Sequence, residues 1–223
     1  MKKPKPCYRL LITAGPSREY IDPVRFISNP ATGLIGYLIA ALARRKGHKV
    51  KLLTGPTHLK IPAGVNTIKF NSALELKKLV NKYWAEADCI ICTAAVGDFR
   101  PKIYSRQKLK KSFKLNNIKL VKTPDILAEL GKKKKPQQVL VGFALETDNT
   151  IKNAKIKLKE KNLDFIVANT LNQKNNPFGR ATYDALILDV SQSIQVKQIT
   201  KDKLARIILD RVEKLCYSLS DKK

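Results

Sequence analysis

Four short stretches of this 223-residue chain carry side chains able to handle a phosphorylated substrate. In "SNPATG" (28–33), Asn29 supplies an amide, and Thr32 and Gly33 stand at a helix start, where free backbone N–H groups attract an anion. Asp22, Arg25 and Asn29 share that loop, which is more polar function than a connector needs. An ordered surface loop closed by its own Asx hydrogen bonds is the plain alternative. In "AAVGDFRP" (94–101), the small residues Ala94, Ala95 and Gly97 let a flat ring approach the backbone. Asp98 can accept from ribose hydroxyls or help hold a metal ion, or it can simply cap a strand end. "KLKK", Lys108 to Lys111, suits a polyphosphate whose charge grows during attack at phosphorus, although taken alone it reads as a solvated charge run. In "GFALETDN" (142–149), Phe143 at a strand end can stack on a base. Lys157 and Lys161 follow one helical turn apart on one face, directed at the same ligand or the same water.

The elements that must position these groups alternate between strand and helix. "YRLLITAG" reads as a buried first strand, and "GLIGYLIAALARRKG" as a helix with apolar residues at helical spacing and a stop at Gly47. "HKVKLLTG" and "NTIKF" are the next strands. Ser72 is the expected cap of "ALELKKLVNKYWA", with Leu74, Leu76, Leu79, Val80 and Trp84 as its core face. "ADCIICTAAV" has the continuous apolar character of a central parallel strand. After a long basic segment, "TPDILAELG" reads as a helix opened by Thr123 and Pro124. "QQVLVGFALE", "NTIKNAKIKLKEKN" and "LDFIVANTL" form a strand–helix–strand unit. "YDALILDV" and "IQVKQIT" pair about the turn "SQS", before a closing helix from Lys201 to about Leu219.

This order implies an α/β fold, a doubly wound, mostly parallel Rossmann-like sheet with an antiparallel pair near the C-terminus. No internal repeat or Pro/Gly/Ser linker divides the chain, so 1–223 is expected to be a single domain. Ligands of such sheets sit at the carboxyl ends of the strands, near the switch in winding direction. The loops of interest are therefore Ala14 to Thr32, Ala94 to Lys111, and Phe143 to Asn149, each of which follows a strand.

Composition removes several classes. No apolar run is long enough to span a bilayer, and "MKKPKPCYRL" lacks the apolar core of a signal peptide, so a cytoplasmic protein without a membrane partner is expected. The net charge of +26 invites a polyanion, yet lysine dominates arginine and aromatics do not interleave with the basic runs, which argues against nucleic acid. Cys89 and Cys92, three apart on a strand, face opposite sides and cannot share a metal ion, and His48 and His58 add no second ligand pair. The G-x-G-x-x-G fingerprint is missing from "TAGPSRE", no acidic residue ends the second strand, and no P-loop occurs.

Together and in this order, "ITAGPSREYIDPVRFISNPATGLIG", "TAAVGDFRP", "KLKK", "TPDIL", "VGFALET" and "KNLDFIVAN" resemble the phosphopantothenoylcysteine synthetases, from about Arg9 to about Leu215. The resemblance implies ligation of 4'-phosphopantothenate to L-cysteine, with CTP and Mg²⁺ and through an acyl-cytidylate. It also implies a homodimer, and a stand-alone form with no flavin and no flavin decarboxylase domain. By position it makes Asn29 and Lys108 catalytic, with Arg25 and Asn29 on the substrate. It assigns the nucleotide to Gly33, Ala94, Ala95, Val96, Asp98, Lys108, Pro124, Asp125, Ile126, Leu127, Phe143, Lys157 and Lys161, and leaves the metal ligand unassigned. Two positions depart from the family pattern: Leu34 stands where lysine is frequent, and Gly97 where alanine is usual. The alternative is a nucleotide- or nucleic-acid-binding protein of the same fold without ligase chemistry.

Overall fold

The computed structural model describes residues 6–110, 117–178 and 181–221. In chain order the elements are β1 (Arg9–Ala14), β2 (Arg18–Tyr20), β3 (Phe26–Ser28), α1 (Leu34–Arg45), β4 (Lys49–Thr54), β5 (Asn66–Lys69), α2 (Ala73–Tyr83), β6 (Cys89–Cys92) and β7 (Phe99–Pro101). They continue with β8 (Leu120–Lys122), α3 (Ile126–Lys133), β9 (Val139–Glu146), α4 (Thr150–Glu160), β10 (Phe165–Thr170), β11 (Thr182–Leu188), β12 (Ser193–Thr200) and α5 (Lys201–Ser220).

Eight strands form one sheet in the order β12-β11-β10-β9-β6-β1-β4-β5. All neighbours from β10 to β5 run parallel, and β10, β11 and β12 pair antiparallel. This is the expected doubly wound sheet with its antiparallel end. The chain leaves β1 toward β4 and β5, then returns to β6 on the other side of β1. The winding switch therefore lies between β1 and β6, where ligands of open α/β sheets bind.

Alternation along the strands supplies two cores. Ile12, Cys89, Ile91, Val139, Val141 and Val167 meet α1 and α5 on one face, while Leu11, Ile90, Leu140 and Ile166 meet α2, α3 and α4 on the other. Cys89 and Cys92 fall on opposite faces, as their spacing requires. Burial pushes the Cys92 thiol up to about 12, so it stays protonated and inert near neutral pH.

The caps show where sequence reading succeeds and fails. Ser72 Oγ accepts from Glu75 N as expected, and Glu19 Oε1 adds a bond from Ala73 N to the same α2 terminus. Leu74, assigned to the core, is exposed, because the buried row of α2 runs through Leu76 and Val80 and leaves position 74 on the far side. The helix expected to open at Thr123 and Pro124 starts at Ile126 instead, with Asp125 as its N-cap accepting from Ala128 N. Thr123 is occupied elsewhere: its Oγ1 donates to Gly97 O and its N–H to Asp98 O. The loop after β1 contains a small antiparallel ribbon, β2–β3, and a second ribbon, β7–β8, is formed by the two ends of the long basic segment after β6.

Candidate functional site

Beyond the sheet, the chains leaving β1 and β6 stay joined. Thr93 N donates to Thr13 O, Ala95 N to Gly15 O and Ser17 N to Ala95 O, so the two switch-point loops form one body. Ser17 Oγ then accepts from Gly97 N. Glycine is required where the backbones touch. Gly33 sits at φ 81°, and a Cβ there would lie 2.8 Å from Gly15 N. A Cβ on Gly55 would lie 2.0 Å from Pro16 O. No side chain could be inserted at either place without moving the loop.

Asn29 emerges from the end of β3, and its Nδ2 donates to Ala95 O at 3.1 Å, which joins two residues that sequence reasoning places in one site. Asn29, Pro30, Ala31 and Thr32 line a cavity of about 1040 Å³ whose far wall is the Gly55–Ile61 segment. Gly33 precedes α1, whose first turn carries no acidic residue, leaving the helix dipole uncompensated there. Leu34, one of the two positions where the resemblance implies another residue, is half-buried, and its N–H is capped by Thr32 Oγ1.

On the other side of the β6 loop lies a cleft of about 430 Å³. Ala94, Val96, Asp98, Pro124, Asp125, Ile126, Leu127, Phe143, Lys157 and Lys161 all contribute to its wall. These come from five separate elements and loops. Phe143 alternates with Gly142 and Ala144, so its ring packs toward the α1/α5 core. Its main chain, more than its ring, is therefore what it can offer a flat base in the cleft.

The lysines here are paired. Lys157 Nζ meets Glu146 Oε1 at 2.5 Å, and Lys161 Nζ meets Asp125 at 2.8 Å. Burial opposes ionisation of Asp125, but the hydrogen bonds from Lys161 and from Ala128 N outweigh it and hold the carboxyl below its usual range. Glu146, which also accepts from Asn153 Nδ2, is not singled out by the sequence. It lies eleven residues from Lys157 across a strand–helix connection, where no periodicity signals a contact. Asp98 is exposed and has no ion-pair partner among the described residues.

Lys108 is exposed and lines neither cavity, and Lys111 lies outside the described residues. The segment carrying Lys108 is held from below, since Leu109 N donates to Asp22 Oδ2 and Ser105 N to Ile21 O. Arg25 forms a fork on Asp22 and also donates to Leu109 O at 2.6 Å, with half of its side chain still exposed. Among the described residues no group of three or more His, Cys, Asp or Glu side chains could hold a metal, and no helix is long and apolar enough to cross a membrane.

A mostly parallel sheet with paired switch-point loops, a helix N-terminus and a lysine-walled cleft beside them defines a Rossmann-like α/β protein with a nucleotide-sized site. Residues 7–216 match the model of the DNA/pantothenate metabolism flavoprotein C-terminal domain, and the chain belongs to that family. It is 41% identical over 204 residues to the coenzyme A biosynthesis bifunctional protein CoaBC of Borreliella burgdorferi, covering 90% of this chain and 51% of that protein. It is 43% identical over 218 residues to a protein from an unknown prokaryotic organism described as a cysteine/cysteine sulfinic acid decarboxylase, covering 97% of this chain and 61% of that one. The chain thus spans roughly half of the length of such relatives. Its fold superposes on the crystal structure of the C-terminal domain of CoaBC with a TM-score of 0.81 at 38% identity, over 95% of this chain and 96% of that domain.

Proposed function

We propose that the chain is a phosphopantothenate–cysteine ligase, activating 4'-phosphopantothenate with CTP and coupling it to L-cysteine in coenzyme A biosynthesis. The observation that carries this reading is the cleft wall, where ten residues matched to the family's nucleotide site converge from distant parts of the chain. Its likeness to the C-terminal domain of CoaBC over nearly all of both chains supports the same activity. The decarboxylase name of one relative belongs to a longer protein, of which this chain covers 61%.

In this mechanism a carboxylate oxygen of 4'-phosphopantothenate attacks the α-phosphorus of CTP, and pyrophosphate leaves. The cysteine amine then attacks the acyl carbon, and CMP leaves as the amide forms. Two anions must meet in the first step, so positive charge must be in place beforehand. Lys157 and Lys161 grip the triphosphate, and Lys108 meets charge that grows at the phosphorus. Asn29 directs its amide to the reacting acyl group, with Arg25 beside it on the substrate. The backbone at Ala94–Val96 reads the pyrimidine edge, Asp98 holds the ribose hydroxyls or would help hold the metal ion, and Gly33 opens the helix terminus that takes a phosphate. Asp98, the carboxylate of the cleft wall without an ion-pair partner among the described residues, would help hold a metal ion that arrives with the nucleotide. Mg²⁺ bound in that way would supply charge neutralisation.

The same reading makes the enzyme cytoplasmic and homodimeric. Val24, Phe26, Ile103, Tyr104, Ile118 and Leu120 are exposed on and beside the β2–β3 and β7–β8 ribbons, which is apolar surface suited to a second copy.

The test is pyrophosphate release by the purified protein. Release that requires CTP, 4'-phosphopantothenate and Mg²⁺ together is expected, with CMP appearing when cysteine is added. CTP binding without turnover would instead make this a nucleotide-binding relative without ligase chemistry.

A further inference from the structure

The carboxylate of Asp22 is completely inaccessible, although it lies in the tight turn of a surface ribbon between β2 and β3. Its Oδ1 accepts from Val24 N at 2.9 Å and Arg25 N at 2.8 Å, which is all that a self-closing turn requires. Three more donors converge on Oδ2: Arg25 Nε at 3.0 Å, Arg25 Nη2 at 2.5 Å and Leu109 N at 3.1 Å. A buried carboxylate is costly unless its acceptor positions are filled, and here five donors fill them. The bond to Leu109 crosses 87 residues of sequence, so it serves something other than the turn.

What it serves is the backbone beside Lys108. Leu109 is held at both polar groups, its N–H by Asp22 and its C=O by Arg25 Nη2 at 2.6 Å. Four residues earlier, Ser105 N donates to Ile21 O at 3.0 Å. Lys108 therefore sits on a short span anchored at both ends to one turn, with its own side chain exposed. From that turn, β3 runs straight to Asn29, about 13 Å away at the usual strand rise, and Asn29 is fixed in its turn on Ala95 O.

We propose that Asp22 is a positioning residue of the site, tying the backbone of Lys108 to the ribbon that presents Asn29 so that both are held in one frame. The inference rests on the ligase reading, which gives Lys108 and Asn29 their chemical parts. Asp22 touches no substrate and acts through Lys108. The Arg25 guanidinium and the backbone donors hold the Asp22 carboxyl far below its ordinary range against the opposing effect of burial, so the tether stays ionised wherever the enzyme works. Arg25, assigned by resemblance to the substrate, is also a strut of this frame.

The test is a double-mutant cycle between Asp22→Asn and Lys108→Gln, with amide hydrogen exchange read on the same proteins. Asp22→Asn keeps the size and the turn acceptor but removes the charge. It is expected to lower kcat on the order of 100-fold, the cost of misplacing a reacting group by about an ångström, and to change the KM for CTP by less than about threefold. In the Lys108→Gln background the same change should cost less than about threefold more, because residues acting through one another are not additive. The amides of Ser105 and Leu109 should exchange slowly in wild type and fast in Asp22→Asn, while those of β1 and β6 keep their protection. Additive losses in kcat would overturn the proposal, and so would unchanged exchange at Ser105 and Leu109. If wild type released no pyrophosphate, the ligase reading would fall, and faster exchange at Leu109 in Asp22→Asn would still support the tether itself.

Discussion

Lys157 and Lys161, on the cleft side of the site, each carry a carboxylate of their own, whereas Lys108 on the ribbon side has no such partner among the described residues. The first two are held in place by their charges, and the third only by the backbone beneath it. The difference matters for chemistry. A lysine already paired with Glu146 or Asp125 is oriented before a ligand arrives, but its pull on a phosphate is partly spent on that carboxylate. An unpaired lysine on a tethered span keeps its full charge for the moment when charge develops. On this view the cleft lysines govern binding and Lys108 governs turnover.

The largest expected effects come from two glycines that mirror the two sides. A Cβ on Gly131 would lie 2.0 Å from Lys161 O, so Gly131→Ala must push α3 away from the end of α4 and displace Lys161. A Cβ on Gly55 would lie 2.0 Å from Pro16 O, so Gly55→Ala must push out the loop after β1. Each should cost about 2–3 kcal/mol of stability, as overpacking does, read by thermal unfolding. In function the two should then part company. Gly131→Ala should weaken CTP binding measured by titration, and Gly55→Ala should spare it and lower kcat. Equal losses of CTP affinity would erase the distinction.

Smaller effects sharpen it. Lys108→Gln should reduce kcat on the order of 100-fold, the scale of removing one group that stabilises transition-state charge, with the melting temperature unchanged because the side chain is exposed. Lys161→Gln should raise the KM for CTP about tenfold, the loss of roughly one charge-assisted contact, and leave kcat within a few-fold. Steady-state kinetics on the two variants decide it, since a kcat effect for Lys161→Gln and a KM effect for Lys108→Gln would invert the division of labour.

Much of the cleft is visible in the sequence because its parts obey short periods. Lys157 and Lys161 share a face by helical spacing, and "AAVGD" follows a strand whose apolar run marks it as central. The Ser72 cap follows from side-chain chemistry alone. The ribbon side is harder to see. Strands of three residues such as β2, β3, β7 and β8 are too short to show alternation. The bond from Leu109 to Asp22 uses a backbone N–H, which every residue but proline possesses, so residue types could not announce it. Leu74 is misassigned because an apolar residue in a helix need not lie on its buried stripe. The orientation of Phe143 could have been found by counting from Val139 and Val141, which put its ring on the α1/α5 face.

The most direct test of the central claim follows an atom. If the carboxylate of 4'-phosphopantothenate attacks the α-phosphorus of CTP, an oxygen carried by that carboxylate must leave on CMP when cysteine forms the amide. With both carboxylate oxygens replaced by a heavy isotope, mass spectrometry should find one heavy oxygen in each CMP and one in each amide product. Heavy oxygen in inorganic phosphate, with none in CMP, would contradict the acyl-cytidylate and put the attack on the γ-phosphorus instead.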